Sequence, residues 1–474
     1  MSEAVIVGAG PNGLACAATL ARAGLGVTVL EAAETIGGGA SSSELTLPGL
    51  IHDDCSATHP LVVHSPALSG LGLERHGLEW AWPEIDLAHP FDDGTAARMA
   101  RSIEETAVGL GAAGASWKRA FGGAAAGFDA LSEDIMRPLL HLPRHPVALA
   151  QFGIRAALPA TMFARSLGSE QARALFGGVA AHSFSPLTGP FSSAVGMALT
   201  SACHRYGWPV ARGGSQAIAD ALAAAVREAG GTIETGRPVR ALADLPDADA
   251  VVFDLAPGAV AEIAADRISA RAAHGLRRYR HGPGAFKVDL AVEGGVPWAA
   301  EAARRAGTVH AIGSFAELVA AEREVNRGRM PARPFVLVGQ QYLADPTRSA
   351  GDVHPVWSYC HVPGGFAGDA TEALIDQIER FAPGLRERIV GRHVRSAVDL
   401  EARNPNYVGG DIITGATNGL QALIRPRIAL DPYTAGGRGL YICSAATPPG
   451  AGAHGICGYN AARSVLRQFG AGES

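Results

Sequence analysis

The residues best suited to chemistry come at the start of the chain. Gly8-Ala9-Gly10-Pro11-Asn12-Gly13 is a Gly-x-Gly-x-x-Gly run, and Glu31 follows 18 residues after its last glycine. Each of these residues has a task in holding the diphosphate and ribose of an adenine dinucleotide. Gly8 permits a tight turn. Gly10 has no side chain to keep a pyrophosphate from the backbone. Gly13 lets a helix lie close on the preceding strand. A carboxylate at Glu31 would accept hydrogen bonds from ribose hydroxyls and repel a 2′-phosphate, which argues against NADP.

Such residues work only when strand, turn, helix and strand follow one another, and the sequence has that order. Ala4-Val5-Ile6-Val7 is a short apolar run, an alanine-rich helical stretch leads to Gly24, and Val27 to Leu30 is a second apolar run closed by Glu31. Free N–H groups at the helix start would face the phosphates. An NAD dehydrogenase would then alternate helices and strands. This chain instead enters Gly37-Gly38-Gly39-Ala40 and three serines, Ser41 to Ser43. Consecutive glycines allow backbone to approach something closely, most simply the same dinucleotide. Near the C-terminus, a strand at Gly439 to Cys443 leads through the glycine-rich loop Ser444 to Gly455 into a helix ending near Phe469. The two ends thus share one binding grammar, which suggests a single extended ligand held by both.

Composition narrows the class. The chain has 474 residues, enough for two or three domains, with 47% hydrophobic and 18% charged residues, as in a folded globular protein. The net charge is −5 and the densest basic run is Arg277, Arg278 and Arg280, so nucleic acid is not an expected partner. The six cysteines form neither a C-x-x-C pair nor a zinc spacing, so no metal is expected and the thiols read as buried in a reducing compartment. The fingerprint strand begins after three residues and no apolar run is long enough to span a bilayer. A cytoplasmic protein is expected, with peripheral membrane contact left open.

Residues 100–205 read as mostly helical, broken at Pro138, Pro143, Pro146 and Pro159. Within them Val147 to Leu167 could line an apolar pocket, rest on a membrane surface, or simply be buried in an inserted domain. After Pro209 an amphipathic helix over Ala217 to Ala229 precedes strands at 232–235, 239–242 and 251–253. Longer strands at 286–292, 335–341 and 356–362 suggest a separate sheet, followed by a helix over Ala370 to Phe381. The expected class is α/β: a Rossmann-like dinucleotide domain, a mixed-sheet substrate domain and a helical cap.

Three stretches carry a family resemblance: AVIVGAGPNGLACAATLARAG with VTVLEAAETIGGG, GGSQAIADALAAAVREAGGTIETGRPV, and LYICSAATPPGAGAHGICGYNAAR. Together they resemble the phytoene-desaturase-like branch of the FAD-dependent amine oxidase superfamily, including its bacterial members and the mitochondrial pyridine-nucleotide-disulphide-oxidoreductase-domain protein. The resemblance implies a glutathione-reductase/amine-oxidase type of FAD-binding domain built from 1–70, 209–284 and 411–474. The substrate domain and helical cap would then come from 71–208 and 285–410. It also implies non-covalent FAD. Gly8, Gly10 and Gly13, with Pro11 and Asn12, would face the pyrophosphate, and Glu31, beside Ala32, the adenosine ribose. Gly38, Gly39 and Ala40 would lie by the pyrophosphate and ribityl chain. Val239 would meet the adenine, while Gly455, Gly458 and Tyr459 would face the isoalloxazine end. Relatives often carry an arginine about where Ser41 stands, so the usual charge partner beside the flavin is missing there.

A flavin accepts hydride at N5 and delivers it to oxygen, a quinone or another acceptor, so the protein need only position a C–H bond and, where required, take a proton. No paired carboxylates or nucleophile–base motif announces itself. His454, in the C-terminal loop, His59, after the first cofactor segment, and His182, in the presumed cap, are the candidate bases, with Tyr459 as a candidate flavin-edge contact. Three functions fit. One is a desaturase-like oxidoreductase acting on an apolar, isoprenoid or polyene substrate. Another is an amine oxidase, which would need an aromatic cage beside the flavin. The third is a flavin-bound isomerase or scaffold without net electron transfer.

Overall fold

The computed structural model describes residues 2–138 and 141–470. Its organising element is a five-stranded parallel sheet in the order Leu440–Ile442, Ala250–Phe253, Glu3–Val7, Gly26–Leu30 and Thr232–Glu234. Ladders run Ala4 beside Val27 on one side and Ala250 on the other, and Val252 beside Tyr441. Ala4 to Val7 are all buried, as a parallel strand covered on both faces requires. Its strands come from the start, middle and end of the chain, so the sheet closes only after residues 440–442 arrive.

The helix Pro11–Arg22 starts at the glycine turn with proline in its first turn, where no N–H is lost from the ladder. The last helix, Ile456–Gln468, packs directly across it. Small residues make this approach possible. A Cβ on Gly458 would lie 1.8 Å from the Asn12 carbonyl oxygen, and one on Gly13 would lie 2.1 Å from that of Gly8.

A second, seven-stranded sheet runs Ile389–Arg395, Gly284–Glu293, Val353–Val362, Val336–Gly339, Ala306–Ala311, Ile85–Pro90 and Ala96–Met99. It is antiparallel except where Ala306–Ala311 meets Ile85–Pro90. Helices between Ile103 and Tyr206 form a cap over one end, with a core of Trp117, Phe121, Phe163 and Phe176 rings whose neighbouring centroids lie 4.5–5.9 Å apart. Buried polar contacts tie the two sheets' loops together. Arg348, 1% exposed, donates to Asp53 at 2.6 Å and to the Ala211 carbonyl at 2.6 Å. Arg395 reaches Asp54 at 2.7 Å and, with the Ser41 hydroxyl, holds its carboxyl well below the usual carboxylate range despite burial.

Two local readings are corrected. Residues 239–242 form no strand. The chain leaves the sheet after Glu234, and Pro238 has no N–H to give a ladder. The strand expected over 335–341 is only Val336–Gly339, because Gln340 turns inward and its amide group bonds Trp298 and the carbonyls of Ala303 and Ala306. The serines after the glycine triplet pair in a small hairpin, Ser42–Glu44 with Ile51–Asp53, that periodicity did not announce.

Candidate functional site

The glycine turn, the Gly37–Ala40 segment, the C-terminal loop and the cap helices surround one continuous cavity of about 1100 Å³. Gly8 turns at φ +104° and Gly38 at φ +52°, conformations that favour glycine. A Cβ on Gly10 would meet the Asp254 carboxyl at 2.8 Å, and one on Gly38 would sit 3.2 Å from the Gly10 Cα. Two backbone segments thereby form one narrow cradle. Pro11, Asn12, Glu31, Ala32, Gly39 and Ala40 continue its wall, with Val239 farther along.

Glu31 is fixed by the backbone. The Ala9 N–H donates to Oε2 at 2.7 Å and the Ala33 N–H to Oε1 at 2.9 Å, leaving lone pairs on each oxygen for further donors. Asp254, just past the strand Ala250–Phe253, accepts from the Gly13 N–H at 2.9 Å. Burial raises its pKa to about 7, opposed by that hydrogen bond and reinforced by the Glu31 charge. The turn therefore holds a carboxyl that changes charge around neutral pH where an anionic diphosphate would come.

Polar atoms around the cavity lack partners. Asn12 Oδ1, Ser444 Oγ, Thr414 Oγ1 and Trp357 Nε1 are buried without a hydrogen bond, and all four residues line the space. Buried polar groups are normally satisfied, so among the described residues these four atoms are available to a polar ligand in the cavity. With the glycine cradle and Glu31, they fit a dinucleotide. Arg403 and Arg425 also line the cavity. Arg403 donates to Asp54 at 3.0 Å and Arg425 to the Tyr279 hydroxyl at 2.6 Å. Positive charge absent at Ser41 thus reaches the same space from elsewhere in the chain.

Away from the cradle the wall becomes apolar. The helix Pro146–Ala156 contributes Leu149, Phe152 and Ala156, and the helix Ser193–Tyr206 contributes Val195 and Leu199. The Val147 to Leu167 stretch thus lines the pocket at its first helix, while Val147 and Ile154 on the same helix are exposed. Trp357, Tyr359 and Tyr407 supply aromatic wall, the first two meeting edge to face at 5.1 Å and 82°. His182 and His454 both reach the cavity. His182 Nε2 lies 3.1 Å from His310 Nε2, and His454 Nδ1 accepts from the Ile456 N–H at 3.2 Å. Burial lowers them to about 3 and about 4, so both rings are neutral at ordinary pH.

Five expected site residues lie elsewhere. His59 is buried off the cavity, its Nε2 bonded to the Ser215 hydroxyl at 2.9 Å. Gly13 sits beneath the turn, spacing helix from strand. Gly455 packs on the core, where a Cβ would meet Leu68 at 2.7 Å, and Gly458 is consumed by the contact with Asn12. Tyr459 faces a different cleft, beside Arg463. The cause is common to the last three. The last helix turns its small face onto Pro11–Arg22, so the loop before it, not its first turn, meets the cavity. Asp254, Arg403, Arg425, Trp357 and Tyr359 went unread in sequence. Only Asp254 had a local signal, its position at the end of a buried strand.

Comparison with known proteins agrees with this geometry. Residues 6–70 match the model of an NAD(P)-binding Rossmann-like domain. A 156-residue stretch is 30% identical to the pyridine nucleotide-disulfide oxidoreductase domain-containing protein 2 of Rattus norvegicus and 29% identical to that of Mus musculus. Each match covers 30% of this chain and 27% of the relative, so it spans only about a quarter of those proteins. Solved structures align over nearly the whole chain. An oxidoreductase from Methanosarcina mazei has a TM-score of 0.61 at 17% identity, over 98% of this chain and 100% of that one. Putrescine oxidase bound to putrescine gives 0.61 at 19%, and cyclohexylamine oxidase from Brevibacterium oxydans 0.59 at 16%, each over 99% of both chains. The chain shares the fold of these oxidases. Within this fold the Rossmann-like domain supplies the cradle, and the mixed sheet and cap enclose the rest of the cavity.

Proposed function

We propose that this protein is a FAD-dependent oxidoreductase that oxidises a C–H bond of an apolar small molecule, of isoprenoid or polyene type. One observation carries the reading: a single cavity runs from a dinucleotide cradle to a wall of Leu149, Phe152, Val195 and Leu199. Its volume of about 1100 Å³ is large for one small ligand and suits a cofactor and a substrate together. Non-covalent FAD would lie with its diphosphate on Gly8, Gly10 and Gly38 and its adenosine ribose toward Glu31, and when bound it would accept hydride and pass electrons to oxygen or a quinone.

The chain's own contribution is binding, orientation and exclusion of water. At the start of Pro11–Arg22 only the Asn12 N–H of the first turn is left to face a diphosphate, since Pro11 has none and those of Gly13 and Leu14 go to Asp254 and the Gly10 carbonyl, while Asn12, Ser444 and Thr414 offer side-chain atoms without partners among the described residues. The apolar cap wall removes the substrate from water and aligns it by shape. Neutral, buried His182 and His454 act as hydrogen-bonding wall rather than as strong bases, consistent with a reaction that needs no dedicated nucleophile. The exposed Leu142, Val147, Ile154 and Met162 beside the cap favour peripheral contact with a membrane from which such a substrate could enter. No single helix among the described residues is long and apolar enough to cross one.

The aromatic corner of Trp357, Tyr359 and Tyr407 supports a second reading, oxidation of an amine held against those rings. Anaerobic mixing of the flavin-loaded protein with polyenes and with primary amines separates the two. Bleaching by polyenes with formation of a new double bond is expected. Bleaching by amines alone, with peroxide on readmitting air, would replace the first reading with the second. Product formed without flavin reduction or any acceptor would contradict both and indicate an isomerase.

A further inference from the structure

The cleft that receives Tyr459 is a site of its own. It measures about 940 Å³ and lies between the cap and the last helix. Met136 lines both this cleft and the dinucleotide cavity, so one side chain forms part of their common wall.

Its charge stands out in a protein whose net charge is −5. Six arginines line it, Arg101, Arg137, Arg144, Arg205, Arg463 and Arg467, against two carboxylates, Asp129 and Glu133, among the described residues. Both carboxylates are already engaged. Arg205 meets Asp129 at 2.5 Å, where the Tyr206 hydroxyl also donates, and Arg144 meets Glu133 at 3.0 Å. Arg467 is paired with Asp431 at 3.0 Å. Arg101 and Arg137 have no salt-bridge partner among the described residues, so the cleft keeps a positive excess.

Flat rings accompany the guanidinium groups. Tyr206 is buried in the cap wall with its ring packed on His64 and Phe128, whereas Tyr459, half-buried on the opposing last helix, turns its ring into the cleft. Planar guanidinium groups match phosphate oxygens in pairs, and tyrosine faces stack on a heterocycle. We propose that this cleft binds a soluble phosphate ester of nucleotide size, its phosphates on Arg101 and Arg137 and its ring system against Tyr459. The volume fits a ligand of that class. The site is independent of the dinucleotide cradle and of the reaction proposed for it.

ADP is the probe, titrated by calorimetry into flavin-loaded full-length protein at low salt. Saturable one-to-one binding is expected, weakening as salt rises, and falling at least about tenfold in Arg101→Gln/Arg137→Gln, which removes two charge-assisted contacts. Should that pair of changes disturb folding, shown by its thermal melt, Arg137→Gln alone and displacement by inorganic pyrophosphate make the same test. If the protein proves flavin-free, ADP should fill two sites and the arginine variants remove one. The proposal is overturned by no saturable binding to wild type, by unchanged affinity in the variants, or by binding to phosphatidylglycerol vesicles without binding to ADP, which would assign the cleft to a lipid headgroup.

Discussion

Glu31 and Asp254 bring two carboxyls to a turn built for an anion, and their different states matter. Glu31 is held open by the Ala9 and Ala33 N–H groups, so the ribose-binding role proposed for it should be lost in Glu31→Arg, with reduced flavin content measured after purification. Unchanged content would remove Glu31 from the site. Asp254 titrates near 7 in the fold against an ordinary value of 3.8. The folded state thus holds its proton more tightly than the unfolded one. The stability this gives is full below about pH 4 and lost as pH rises through about 7. Its ionisation also sets a negative charge against the diphosphate. FAD affinity should therefore fall by up to about tenfold per pH unit above pH 7, and Asp254→Asn, which keeps an acceptor for the Gly13 N–H, should flatten that profile. A wild-type affinity that is level from pH 6 to 9 would refute the role. Glu31 was legible because its spacing from Gly13 is local. Asp254 was not, because 241 residues separate it from the N–H it accepts.

Among elements, the crossing of Pro11–Arg22 by Ile456–Gln468 joins the two ends of the chain. Gly458 is its closest point. Gly458→Val should cost at least about 1–3 kcal/mol by overpacking, read as a lower denaturation midpoint, and lower flavin content because the Ser444–Gly455 loop would shift with its helix. The sequence showed both helices, both glycine loops and the close-approach residues. It misplaced Gly455 and Gly458 because a glycine freed for a ligand and one freed for a neighbouring helix look alike in one dimension, and Tyr459 went with them, one residue on along the same helix. The segment 239–242 failed for a related reason: its apolar residues serve a cavity wall and a neighbouring core cluster, not a ladder.

At the scale of the molecule, three separate segments of chain complete one sheet and two sheets enclose one cavity, so the ligand should count toward stability. FAD at about a hundred times its dissociation constant should stabilise the protein by about 2.7 kcal/mol, seen as a rise in melting temperature of protein stripped of flavin. The α/β class and both sheets were readable from periodicity and glycine punctuation. The charge reaching the cavity from Arg403 and Arg425, the aromatic corner of Trp357 and Tyr359, and the arginine cleft were not, since each is assembled from segments distant in sequence. On the proposed reading, both ends of the chain hold one FAD. The direct measurement is the flavin released by denaturing the purified protein, after incubation with added FAD where needed, set against protein concentration. One FAD per chain is expected, falling sharply in Glu31→Arg. Protein that carries no flavin and takes up none when FAD is supplied would contradict the account.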